Sequence, residues 1–118
     1  MALKVLHDDD IPPDLLRNRT IAVLGYGSQG QAHAQNLRDS GCQVIVGQRP
    51  AGPGHALAIQ HGFSPIPIAP TTERANLLIF ALPDEAMGEI YRADVASHLQ
   101  AGQALGFVHG FAIRFGQI

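Results

Sequence analysis

At 118 residues the chain is sized for one domain with a real core. An apolar share of 46% and a charged share of 15% suit a compact fold, and a net charge of −2 with scattered basic residues gives no electrostatic case for nucleic acid. Cys42 is the only cysteine, which excludes an internal disulfide or cysteine-based metal cluster, and no run approaches the ~18–20 apolar residues that span a bilayer.

Residues 1–19 form a lead-in with neither a signal-peptide apolar core nor the basic character of a transit peptide, so a reducing, cytoplasmic setting is the default. Asp8–Asp10 reads as a solvated run, because three consecutive side chains diverge. Pro12-Pro13 favours an extended or turn path.

The next thirty residues carry the strongest pattern. The apolar run Ile21-Ala22-Val23-Leu24 enters Gly25-x-Gly27-x-x-Gly30, and a second apolar run, Val44–Val46, follows after a helix-length gap. Strand, glycine turn, helix and strand in this order make a dinucleotide-binding unit. Gly25 permits the tight turn, Gly27 lets backbone approach a pyrophosphate, and Gly30 lets helix and strand pack closely. The helix N-terminus adds free N–H donors and partial positive charge. That helix is expected over 28–40, with Gly30, Ala34 and Leu37 as a small-residue face and Gly41 as terminator. His33 lies off this stripe.

Residues 47–54 are a Gly/Pro-rich loop, and 55–61 a short helix ended by Gly62. Pro65 and Pro67 alternate with Ile66 and Ile68. Proline lacks a ladder N–H, so this third strand should be short and near an edge. Thr71 or Thr72 is expected to cap a short helix before the strand Leu77–Leu82. Pro83, Asp84 and Glu85 mark the start of a helix whose Met87, Ile90, Tyr91, Val95 and Leu99 follow a near-3.6 period. Gln103–Val108 is the fifth strand, with His109 at its carboxyl end. The alternation predicts a Rossmann-like, three-layer, doubly wound parallel sheet of about five strands, binding ligands at the strand C-termini.

Where an NAD-type site needs an acid after the second strand, this chain has Gly47, Gln48 and Arg49. An arginine can pair with a 2′-phosphate, which biases the reading toward NADP; the alternative is a solvated loop cation. His109 can serve proton transfer or orient a substrate carbonyl, or it is a loop histidine satisfied by hydrogen bonds. His7, His55, His61 and His98 share no spacing, and no metal-ligand set is visible.

The strings Gly-Tyr-Gly-Ser-Gln-Gly at 25–30, Leu-Pro-Asp-Glu at 82–85, His-Gly-Phe at 109–111 and Phe-Gly-Gln-Ile at 115–118 resemble the N-terminal domain of ketol-acid reductoisomerase, over nearly the whole chain. The resemblance implies Mg²⁺-assisted rearrangement of a 2-acetolactate-type substrate and reduction by NADPH, in branched-chain amino-acid synthesis. It implies that Tyr26, Gly27, Ser28 and Gln29 hold the pyrophosphate and Arg49 the 2′-phosphate. Pro83, Asp84, Glu85 and Met87 would line the cofactor cleft, and His109 would be the active-site histidine.

Three departures qualify it. Gly52 and Gly54 stand where the family usually has phosphate-binding hydroxyls, which weakens NADP preference and leaves NAD admissible; His55 offers a weak substitute. Met87 replaces a common glutamine. The sequence ends at Ile118, before the helical domain that carries the family's Mg²⁺ ligands, so it is expected to bind dinucleotide without turnover and to self-associate through an uncovered sheet edge or helix face. The rivals are a free-standing nucleotide-binding module and a different NAD(P)-dependent reductase.

Overall fold

In the computed structural model, residues 2–12, 14–50 and 52–118 are described. Pro13 of the Pro12-Pro13 pair and Ala51 of the loop after the second strand lie outside them. Four parallel strands, β1 (Thr20–Leu24), β2 (Gln43–Gly47), β3 (Leu77–Phe80) and β4 (Ala104–Phe107), form a sheet in the order β2-β1-β3-β4. β1 is central and its Ile21–Leu24 are fully buried, as an apolar run covered on both faces must be.

Side chains alternate across the sheet and so build two cores. Val23 and Val46 pack with Ala34 of α1 (Ser28–Asp39) and Ala58 of α2 (Pro53–Gln60). Ala22, Leu24, Leu78 and Phe80 pack on the opposite face with residues of α3 (Ile68–Arg74), α4 (Asp84–Ile90) and α5 (Phe111–Arg114). The three layers are those expected. Gly41 and Gly62 follow α1 and α2 at φ +89° and +92°, the left-handed conformation that ends a helix.

The strand expected over 103–108 is present as β4, but the expected third strand, around Ile66, is absent from the four-stranded sheet. What remains of it is one parallel bridge, Ile66 to Gly47, on the outer edge of β2. The Ile66 N–H donates to the Val46 carbonyl at 3.0 Å, and the Gln48 N–H donates to the Ile66 carbonyl at 2.9 Å. Pro65 and Pro67 flank this residue and have no N–H to extend the ladder.

Two further expectations are corrected. Thr71 and Thr72 do not cap α3, which starts after Pro67; both lie buried inside it, their hydroxyls donating to the carbonyls of Pro67 and Ile68 four residues back. The helix expected through Leu99 is α only as far as Ile90 and continues as a π turn, Tyr91–Val95, then a 3₁₀ turn, Ala96–His98. The wider π turn brings Val95, five residues after Ile90, onto the same buried face.

Asn76, just before β3, ties the lower ends of three strands. Its side-chain oxygen accepts from the Thr20 N–H at 2.7 Å, its N–H donates to the Thr20 carbonyl, and its carbonyl accepts from Ala104. The upper ends are tied likewise: Gly25 N–H to Gly47 carbonyl, Ala81 N–H to Leu24 carbonyl, and Val108 N–H to Phe80 carbonyl. The loops above β1, β2, β3 and β4 therefore leave the sheet from fixed points.

Candidate functional site

The chain order reverses at β1: β2 lies on one side of it and β3 on the other. In open α/β sheets such a switch point opens a crevice above the strand C-termini. Here that crevice is a cleft of 800 Å³, bordered by residues following all four strands.

The turn after β1 forms its centre. Gly25 has φ +95°, and a side chain there would strike the Ala81 carbonyl oxygen at 2.6 Å. Gly30 sits beneath the turn, where a Cβ would collide with the Gly25 carbonyl, so it packs the helix and does not border the cleft. Gly27 differs: a Cβ built on it meets nothing within 4 Å. Gly27 borders the cleft, and the absence of a side chain there leaves room for the close approach a ligand requires.

Gly27 is also the N-cap of α1 and offers no side-chain cap. The first helical bond is from the Gln31 N–H to the Gly27 carbonyl, so the N–H groups of Ser28, Gln29 and Gly30 have no partner among the described residues. Unpartnered helix N-terminal donors form an anion site. Ser28 and Gln29 border the cleft beside them.

Tyr26 borders the cleft too, but its ring is buried. The hydroxyl lies 2.7 Å from His61 Nδ1, and the ring meets Phe63 edge-on at 6.0 Å. Burial pushes the phenol above its usual value, with the Arg38 charge opposing more weakly. Its phenol is therefore engaged in the core, and its backbone is the part at the turn.

Arg49 and Gln48 border one end with Pro53, Gly54 and Leu57 of α2. Arg49 is exposed and makes no ion pair among the described residues. Gly52 N-caps α2 without lining the cleft, and His55 does not line it either. A Cβ on Gly54 would meet Gln48 Nε2 at 2.9 Å, so the Gln48 amide occupies the space beside Gly54. Gln48 was visible only as a residue standing where an acid belongs in NAD-type sites.

Pro83, Asp84 and Met87 border the other end, while Glu85 is exposed and lies outside the lining. Met87 is fully buried and belongs to the core cluster, so it serves as apolar floor. His109, above β4, is exposed and its Nδ1 accepts the Phe111 N–H at 3.2 Å. Asp84 Oδ2 is 3.6 Å from the same nitrogen, beyond a hydrogen bond. In that arrangement the neutral ring carries its proton on Nε2. Sequence spacing left Asp84 and His109 unrelated; the β3–β4 pairing brings them together.

No group of three or more His, Cys, Asp or Glu side chains converges among the described residues, so they do not fit a Mg²⁺ site of their own. No helix is long and apolar enough to cross a membrane among those residues.

A family model described as the acetohydroxy acid isomeroreductase NADPH-binding domain matches residues 15–118. The chain belongs to this family. It is 43% identical over 116 residues to the ketol-acid reductoisomerase (NADP⁺) of Pyrococcus abyssi, covering 98% of this chain and 35% of that protein. The structure of an NADH-preferring ketol-acid reductoisomerase from an uncultured archean superposes with a TM-score of 0.91 at 40% identity, covering 98% of this chain and 37% of that one. A semialdehyde dehydrogenase NAD-binding protein from Cupriavidus necator matches at TM-score 0.74 and 24% identity, over 86% of this chain and 37% of that one, a likeness of fold alone. The chain thus spans about a third of the reductoisomerases it matches, the third that carries the family's NADPH-binding domain. No observation favours a different reductase or a free-standing module.

Proposed function

We propose that the chain binds NADPH in the cleft above the sheet, as the nucleotide-binding part of a ketol-acid reductoisomerase acting on 2-acetolactate-type substrates. The observation that carries this is the open space over Gly27 beside three unpartnered N–H groups. The pyrophosphate then lies on Ser28, Gln29 and the α1 N-terminus, with Gly25 and Gly27 allowing the approach. The adenosine ribose lies toward Arg49, Gln48 and α2, and the nicotinamide toward Pro83, Asp84, Met87 and His109.

The chemistry supplied by the bound cofactor is hydride donation from the nicotinamide. The chain's own contribution is positional. Met87 and its neighbours exclude water beneath the ring, and His109 holds a proton on Nε2 where a developing alkoxide can accept it. With Gly52 and Gly54 in place of hydroxyls, the 2′-phosphate depends on Arg49, and NADH binds as a second cofactor through Gln48. Mg²⁺, when required, is held by residues other than those described. A cytoplasmic homo-oligomer is the matching cellular form, supported by the exposed apolar side chains of the N-terminal lead-in and α5.

Calorimetric titration with NADPH and, separately, NADH tests the reading. NADPH binding that falls about tenfold or more in Arg49→Ala, with NADH binding retained, is the expected result. Absence of binding of either nucleotide by a folded chain would overturn it.

A further inference from the structure

Tyr26 approaches α2 at both ends. Its hydroxyl is hydrogen-bonded to His61, the residue capping the C-terminus of α2. Its carbonyl oxygen lies beside Gly54 in the first turn, 3.5 Å from where a Cβ would stand. Those two positions are seven residues apart, about 10 Å along a helix, so one tyrosine reaches along most of α2. Arg38, near the C-terminus of α1, completes the clasp: its guanidinium lies 4.3 Å over the Phe63 ring and donates to the His61 carbonyl.

We propose that Tyr26 and His61 are positioning residues that set the distance between the glycine turn and α2, and hence the width of the adenosine end of the cleft. The inference rests on the cofactor reading above. Tyr26 lies between the two turn glycines, so anchoring its ring restrains a segment that glycine leaves free. The N-terminal residues Pro53 and Gly54 of α2 form one wall of the cleft, while Ala58 further along anchors the helix in the core. Without the Tyr26–His61 bond, α2 and the turn separate in the free protein, and ordering them is deducted from binding. The hydroxyl never touches the nucleotide. Its effect reaches the ligand through Gly54 and Gln48.

The test compares Tyr26→Phe, His61→Ala, their combination and His61→Asn, whose side-chain oxygen can take the place of Nδ1. Affinities for NADPH and for 2′,5′-ADP, the adenosine half alone, are measured with a urea midpoint for each variant. Tyr26→Phe and His61→Ala should each weaken both ligands by about three- to tenfold, the span of one neutral hydrogen bond. The double variant should bind no worse than either single one, and His61→Asn should return to within about twofold of the parent. Unchanged affinities in folded Tyr26→Phe, or no rescue by Asn, would overturn the positioning role while leaving the cofactor reading intact. A parent chain that binds neither ligand would overturn both.

Discussion

A methyl group on Gly25 would stand 2.6 Å from the carbonyl oxygen of Ala81, so the turn after β1 and the end of β3 meet backbone to backbone. Neither partner can give way easily, because the Ala81 N–H is bonded to Leu24 and the Gly25 N–H to Gly47. The switch point that opens the cleft is therefore a rigid junction. Gly25→Ala adds a left-handed backbone strain to that collision and is expected to cost about 3 kcal/mol or more. Urea denaturation reads this directly; a loss below about 1 kcal/mol would show that the turn can relax.

Gly27→Ala should behave in the opposite way. Its φ of −78° and ψ of −165° suit any residue, and its Cβ points into open space. Stability should fall by no more than about 1 kcal/mol, the difference between alanine and glycine at an N-cap. Nucleotide affinity should nevertheless fall at least about tenfold, since the methyl occupies the space a phosphate needs. The same protein sample, examined by denaturation and by titration, separates the two effects.

The Tyr26 phenol gives stability a dependence on alkaline pH. Burial holds its ionisation above the usual 10.0, so the folded chain keeps a proton that the unfolded chain releases. This contribution is complete below the unfolded value and is lost as pH rises through the folded one. Tyr26→Phe should flatten the alkaline limb of the stability profile. Phenolate absorbance should show a late transition in the parent that Tyr26→Phe removes.

Phe80 stacks on Phe107 with ring centroids 4.7 Å apart, joining β3 to β4 beneath the cleft. It is fully buried, so Phe80→Ala should cost about 3–5 kcal/mol. Thr71→Val is the contrasting case. Its hydroxyl donates to a Pro67 carbonyl that already accepts the Thr71 N–H, so the change should stay within about 1 kcal/mol. Equal losses in the two variants, measured by thermal unfolding, would contradict this ranking of the core.

Much of this architecture is legible from short-range pattern. The run Ile21–Leu24, the glycine spacing and the terminators Gly41 and Gly62 each act over a few residues, where backbone sterics and hydrophobic periodicity decide the outcome. The prolines around Ile66 likewise announced a weak edge strand, though not that one residue would carry all of it. The run from Asp84 misled because a regular period cannot register a π turn, which changes the residue count without breaking the apolar face.

The sequence alone singled out the residues proposed to meet a dinucleotide: the glycine turn, Arg49, the segment around Asp84, and His109. Only the tertiary structure decided how each would face it. It turned the Tyr26 phenol into the core, left Gly52 and Glu85 outside the cleft lining, set Gln48 over Gly54 and brought Asp84 to His109. These are contacts between residues 6 to 35 positions apart on different elements. Their geometry depends on strand order and on which face each helix covers, which no local propensity encodes.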